Sequence, residues 1–172
     1  HKPEVLLLDE PTTGVDAVSR KEFWDMLKRL KAQHISILVS TPYMDEASLC
    51  DRIALIQNGY IMSVDKPEQI TNGFPVALHA VKSNNIYQLL KDFRSDPAVE
   101  SCYPFGEYLH LTLKDSYAGE PFIHELAKKY QAGEFEAKRI QATIEDSFIR
   151  LMKENESVQN IGDHNGRQGD HL

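Results

Sequence analysis

Only two cysteines, Cys50 and Cys102, occur in the 172 residues. Two are too few for a disulfide framework, so a reducing compartment fits, with both thiols as small core residues. Long apolar runs are missing as well. Val5 to Leu8 falls far short of the roughly 20 residues that a membrane-spanning helix needs. No secretory leader is visible. Basic excess is lacking: 19 Lys and Arg against 26 Asp and Glu leave a net charge of −7. That balance argues against nucleic acid as a partner, because phosphate backbones are bound by Lys- and Arg-rich faces. There is no initial Met. The chain opens at His1, on the approach to a strand, and reads as a piece of a longer protein. No internal repeat is present.

What is there has a clear order. Glu4 to Leu8 is a continuous apolar run ending in "DEP", which suits a strand buried on both faces of a parallel sheet. After the turn "TTG", Phe23, Met26, Leu27 and Leu30 fall at helical spacing within residues 18–32. Asp16 can cap that helix, and Ser19 with Glu22 offers a capping box as the alternative. "HISILVST" is a second buried strand, and strand, helix, strand is the βαβ unit of a parallel sheet. A short helix follows Pro42. Asn58-Gly59 between two apolar runs then signals a two-residue hairpin. "KPEQITN" reads as a short helix opened by proline.

The pattern changes at Gly73-Phe74-Pro75. Strands are expected at Val76–Val81, Val99–Tyr103, Tyr108–Leu113 and Phe135–Ile140. Helices are expected through Ile86–Phe93 and Phe122–Tyr130. That βαββαβ order is a split βαβ, or ferredoxin-like, unit, with one more helix appended from Thr143 through Leu151. The fold class is therefore α/β: a partial parallel-sheet core, then an α+β accessory domain. The expected divisions are 1–74, 75–152 and a disordered tail at 153–172, where Gly, Asn, Asp and Gln are plentiful.

"VLLLDE" sets two adjacent carboxylates past the carboxyl end of a buried strand, the end at which open α/β sheets bind ligands. Asp9 can serve Mg²⁺, directly or through water, since that ion takes oxygen ligands and keeps several waters. Glu10 can polarise an attacking water. The plain alternative is that both acids merely end the strand and cap the turn. Lys28-Arg29 and Lys128-Lys129 are most simply solvated helix faces.

Taken together, "LLLDEPTTGVD", "ILVSTPYMDEA" and "DRIALIQNGYI" resemble the ATP-binding-cassette (ABC) ATPases, most closely the nucleotide-binding subunits of exporters. The resemblance runs nearly without a break over residues 2–72. It implies a P-loop ATPase core with "VLLLDE" as the Walker B strand, Asp9 serving Mg²⁺ and Glu10 as general base. "TTGVD" would be the D-loop, with Asp16 at a dimer interface, a role compatible with helix capping. "STPYMDEA" matches the switch loop, whose third residue in the family is a histidine that hydrogen-bonds the γ-phosphate. Here that residue is Pro42, which has neither a side-chain donor nor a backbone N–H. His34 is no substitute. It lies at the far end of the same strand, roughly 25 Å away, and reads as a surface residue.

Two family parts are absent from the 172 residues: the phosphate loop G-x-x-x-x-G-K-[ST] and an "LSGGQ"-type signature. Both precede Walker B in the family, so the chain reads as truncated. "ATIEDSFIRLM" is similar to the closing stretch of the small C-terminal extension of exporter-type members. The resemblance implies ATP and Mg²⁺ as cofactors of the parent, a transmembrane permease and a second nucleotide-binding domain as partners, no nucleic acid, and a place on the cytoplasmic face of a membrane. The chain alone is expected to be inactive. Pro42 hints at an asymmetric pair of ATP sites. Two rival readings remain at this point: a soluble ABC-type ATPase without a permease, and a non-catalytic regulatory or dimerisation module.

Overall fold

The computed structural model describes residues 3–117 and 119–165. These fall into two compact units, one of 3–70 with 144–165, the other Thr71–Thr143.

The first unit begins as a βαβ. Strand β1 (Val5–Asp9) and strand β2 (Ser36–Ser40) pair in parallel through helix α1 (Ala17–Lys31). Val5 stands opposite Ser36, Leu7 opposite Leu38, and Asp9 opposite Ser40. Of the two caps the sequence offers, Asp16 is the one used. Lys28, Arg29 and Lys31 occupy the last turn of α1, where cations favour the helix dipole. Leu6, Leu8, Ile37 and Val39 are half-buried on one sheet face, and Trp24 and Leu27 of α1 are buried.

The other face corrects an expectation. Val5, Leu7 and Leu38 are open, Leu7 at 70% and Leu38 at 67% exposure. Among the described residues this sheet has two strands and one crossover helix, and one helix can cover only one face.

The hairpin appears where Asn58-Gly59 predicts it, between β3 (Ile53–Gln57) and β4 (Tyr60–Asp65). Asn58 has φ 51° and Gly59 φ 80°. That left-handed pair is what a type I′ turn requires, and its twist matches the flanking strands. Helix α2 (Met44–Ala47) precedes the hairpin and α3 (Pro67–Asn72) follows it.

In the second unit the order is β5 (Leu78–Ser83), α4 (Ile86–Ser95), β6 (Val99–Phe105), β7 (Tyr108–Leu113), α5 (Glu120–Lys129) and β8 (Phe135–Ile140). The sheet runs β6-β7-β5-β8, with every neighbouring pair antiparallel. Val81, Phe93, Leu111 and Ile123 have no exposure at all, and they anchor its core. Helix α4 presents Ile86, Leu89, Leu90 and Phe93 at helical spacing. It stops before Asp96 because Pro97 drives the preceding residue into extended geometry, φ −79° and ψ 129°. The freed Asp96 carboxylate is buried and accepts from the Ala98 N–H at 2.9 Å, Lys129 Nζ at 2.6 Å and the Tyr130 hydroxyl at 2.9 Å.

Helix α6 (Ile144–Asn165) returns the chain to the first unit. The sequence places it with the second domain, within 75–152. In the structure Ile144, Phe148 and Leu151 join Ala47, Ile53, Leu55 and Ile70. Their i, i+4, i+7 spacing makes one apolar stripe, and the first unit's core is what it matches. Ser147 Oγ donates to the Ile70 carbonyl at 3.4 Å. The helix also runs past residue 152, where the tail is expected to begin. No proline interrupts it, and Arg150 pairs with Glu154 one turn on at 2.9 Å. The rest of that expected tail, 166–172, lies outside the described residues. No helix among the described residues is long and apolar enough to cross a membrane.

Candidate functional site

The site forms where β1 and β2 end side by side. Asp9 is the last residue of β1 and its register partner Ser40 the last of β2. The Ser40 hydroxyl donates to Asp9 Oδ1. The next residue, Glu10, turns into the left-handed region at φ 42°. Its N–H donates to the Ser40 carbonyl and to Ser40 Oγ, both at 3.0 Å. One serine thus fixes both acids. Thr13 Oγ1 donates to Glu10 Oε2 at 3.1 Å, and the Thr13 N–H donates to the Glu10 carbonyl at 3.2 Å. The loop closes through Gly14 at φ 77°, a conformation that costs glycine nothing.

Asp16 sits at the exit of that loop. Its Oδ1 accepts from the N–H groups of Val18 and Ser19 at 3.0 and 3.1 Å, and its Oδ2 from Ser19 Oγ at 2.7 Å. The Ser19 donors hold this carboxyl below the usual carboxylate range. Pro42 is exposed, two residues past Ser40. The structure therefore brings Asp9, Glu10 and the Pro42 loop to one end of the two-stranded sheet, while Asp16 spends its carboxylate on its own helix. His34 is exposed at φ 64°, in the turn that closes α1, at the other end of β2. Cys102 is buried in the second unit's core and Cys50 is half-buried against the first, both as free thiols.

The sequence does not single out Glu46, although it lies inside the quoted "STPYMDEA". It is 2% exposed. Its Oε2 accepts from Thr12 Oγ1 at 2.9 Å and Thr41 Oγ1 at 2.7 Å, and its Oε1 from Arg20 Nε at 3.0 Å. Burial alone pushes this carboxyl up, and the donors from Thr41, Thr12 and Arg20 more than reverse that, holding it low. Arg20 also pairs with Asp45 at 3.2 Å and lies 4.4 Å from the centre of the Tyr43 ring. An acid directly before Ala47 in a short helix, with no role of its own, is the signal that marks it in retrospect.

No group of three or more His, Cys, Asp and Glu is arranged to hold a metal among the described residues. One exposed carboxylate with a serine hydroxyl beside it does suit Mg²⁺, which is held largely by water and by phosphate oxygens from a substrate.

The chain is homologous to the ATP-binding proteins of ABC transporters. It is 36% identical over 103 residues to the probable multidrug ABC transporter ATP-binding protein YbhF of Escherichia coli, covering 60% of this chain and 15% of that protein. Against Nod factor export ATP-binding protein I of Burkholderia orbicola it is 38% identical over 158 residues, covering 88% of this chain and 48% of the relative. ABC transporter A family member 7 of Arabidopsis thaliana matches at 28% over 160 residues, 88% of this chain and 17% of the relative. The chain therefore spans about half the length of the Nod factor relative and a smaller share of the other two. No protein-family model matches it.

Proposed function

We propose that the chain is the C-terminal part of the ATP-hydrolysing subunit of an ABC transporter of exporter type. The observation that carries this is the Asp9–Glu10 pair at the end of β1, tied by Ser40 to the strand that leads into the Pro42 loop. Asp9, with Ser40 beside it, would hold Mg²⁺, and that ion would neutralise charge on the phosphates when bound. Glu10 would accept a proton from an attacking water. The left-handed turn at Glu10 aims its backbone into the loop, and Thr13 steadies its carboxylate.

Asp16 would meet a second nucleotide-binding domain across a dimer interface while capping α1. A transmembrane permease on the cytoplasmic side of a membrane would take up the work. Two relatives named for multidrug transport and Nod factor export support the exporter direction. Thr71–Thr143 would be a ferredoxin-like accessory unit, supported by its strand order β6-β7-β5-β8. Pro42 offers no hydrogen bond to a γ-phosphate, so the site built on this chain would turn over slowly and leave most flux to its partner site.

Mg-ATP binding and hydrolysis test this. The intact protein should bind and hydrolyse Mg-ATP, and Asp9→Asn should weaken the Mg²⁺ dependence. The 172 residues alone should show no tight binding by calorimetry, because phosphate-loop donors supply most of the contacts to the β- and γ-phosphates. An intact protein with no Mg-ATP binding would sink the ATPase reading. A low-micromolar dissociation constant for these residues alone would sink their expected inactivity.

A further inference from the structure

Asp9 and Glu10 sit on the loop after β1, and Pro42 on the loop after β2. What keeps two exposed loops in one geometry lies beneath them. Thr12, 1% exposed, belongs to the first loop, and Thr41 begins the second. Their hydroxyls share a single oxygen, Glu46 Oε2, at 2.9 and 2.7 Å. Thr41 Oγ1 also accepts the N–H of Tyr43 at 3.1 Å, so the backbone is pinned on both sides of Pro42. Arg20 supplies the counter-charge through Nε to Glu46 and packs over the Tyr43 ring.

We propose that Glu46 is a positioning residue that couples the Asp9–Glu10 loop to the Pro42 loop, with Arg20 as its anchor. The proposal rests on the reading of Asp9 and Glu10 as the hydrolytic pair. A buried carboxylate needs all its donors, since a charge left unpaired there is strongly unfavourable. The two loops therefore hold or loosen together. Glu46 touches no substrate; it acts through Thr12 and Thr41. With no donor on Pro42, the rigidity of this loop is what remains to shape the phosphate-facing end of β2.

Hydrogen exchange of the intact protein, read at Thr13, Val15 and Tyr43, tests the coupling. Glu46→Gln keeps the shape and removes the charge, and it should speed exchange about tenfold or more at all three amides, because a hydrogen bond to a charged group is lost in each loop. Glu46→Asp, which keeps the charge on a shorter stem, should recover protection in both loops together. Thr12→Val, which removes one of the donors Glu46 needs, should loosen both loops, though by less than Glu46→Gln. Faster exchange in one loop alone under Glu46→Gln overturns the coupling, as does a uniform rise that includes the β3–β4 hairpin. The slow phase of single-turnover ATP hydrolysis, the one assigned to this chain's site, should slow under Glu46→Gln by a similar factor and recover in part under Glu46→Asp. Loosened loops with unchanged hydrolysis overturn the positioning role. An unaltered protein that hydrolyses no ATP overturns the ATPase reading, and the coupling is then decided by exchange alone.

Discussion

The two units divide burial and chemistry unequally. In the second, a four-stranded sheet and two helices enclose Val81, Phe93, Leu111 and Ile123 completely, and its exposed large apolar residues are Tyr87 and Tyr117 among those described. In the first, the buried apolar cluster is small, and Val5, Leu7, Leu38, Ile56 and Ile61 are each more than half exposed. Yet the first unit carries the paired carboxylates and the polar hub around Glu46. The unit with the most satisfied core thus has the least apparent chemistry. The unit with the paired carboxylates also has its loops hydrogen-bonded to a buried carboxylate, Glu46.

The largest effect should come from breaking the satisfied core. Phe93→Ala removes a fully buried ring that also meets Tyr130 edge-on at 6.2 Å. It should cost the second unit about 3–5 kcal/mol, read as a fall in its melting transition, while amides of the β3–β4 hairpin keep their exchange rates. Equal loss of protection in both units would erase the comparison.

A smaller effect is expected at Asp96, a buried carboxylate that follows helix α4 and accepts from Lys129 of α5. Burial alone would raise the Asp96 carboxyl, and Lys129, the Ala98 N–H and Tyr130 outweigh it, holding it below the ordinary value. A folded-state value below the unfolded one gives stability that is present above the unfolded carboxylate range, about pH 3.9, and is lost as pH falls through the folded value. Asp96→Asn should cost about 1–3 kcal/mol at neutral pH and flatten the acid limb of the second unit's stability curve. An acid limb unchanged by Asp96→Asn would place the titrating group elsewhere.

Much of this was legible residue by residue. The apolar run before Asp9 and the helical spacing of Phe23 to Leu30 locate the βαβ, and Asn58-Gly59 locates the hairpin, because these signals are local. The partner of α6 was not legible: Ile144, Phe148 and Leu151 state that one face is apolar, not which core receives it. Nor was the bare face of β1 and β2, since an apolar strand reads the same whether one or both faces are covered. Asp9 and Glu10 stand out as acids at a strand end. Glu46 does not, because its weight comes from Thr12 and Arg20, which lie 34 and 26 residues away in sequence.

On the proposed reading, Pro42 leaves the ATP site that Asp9 and Glu10 would help form in the intact protein short of one phosphate donor. Single-turnover ATP hydrolysis by the intact protein, with Pro42 and with Pro42→His, tests it most directly. Losing one preorganised donor to developing charge typically costs ~10²–10³ in rate. The slow phase, the one assigned to this chain's site, should therefore quicken by up to that factor in the histidine variant, with Glu10→Gln abolishing the gain. No gain from Pro42→His, together with near-total loss of the native rate on Glu10→Gln, would mean that another donor already fills this role, and would contradict the account.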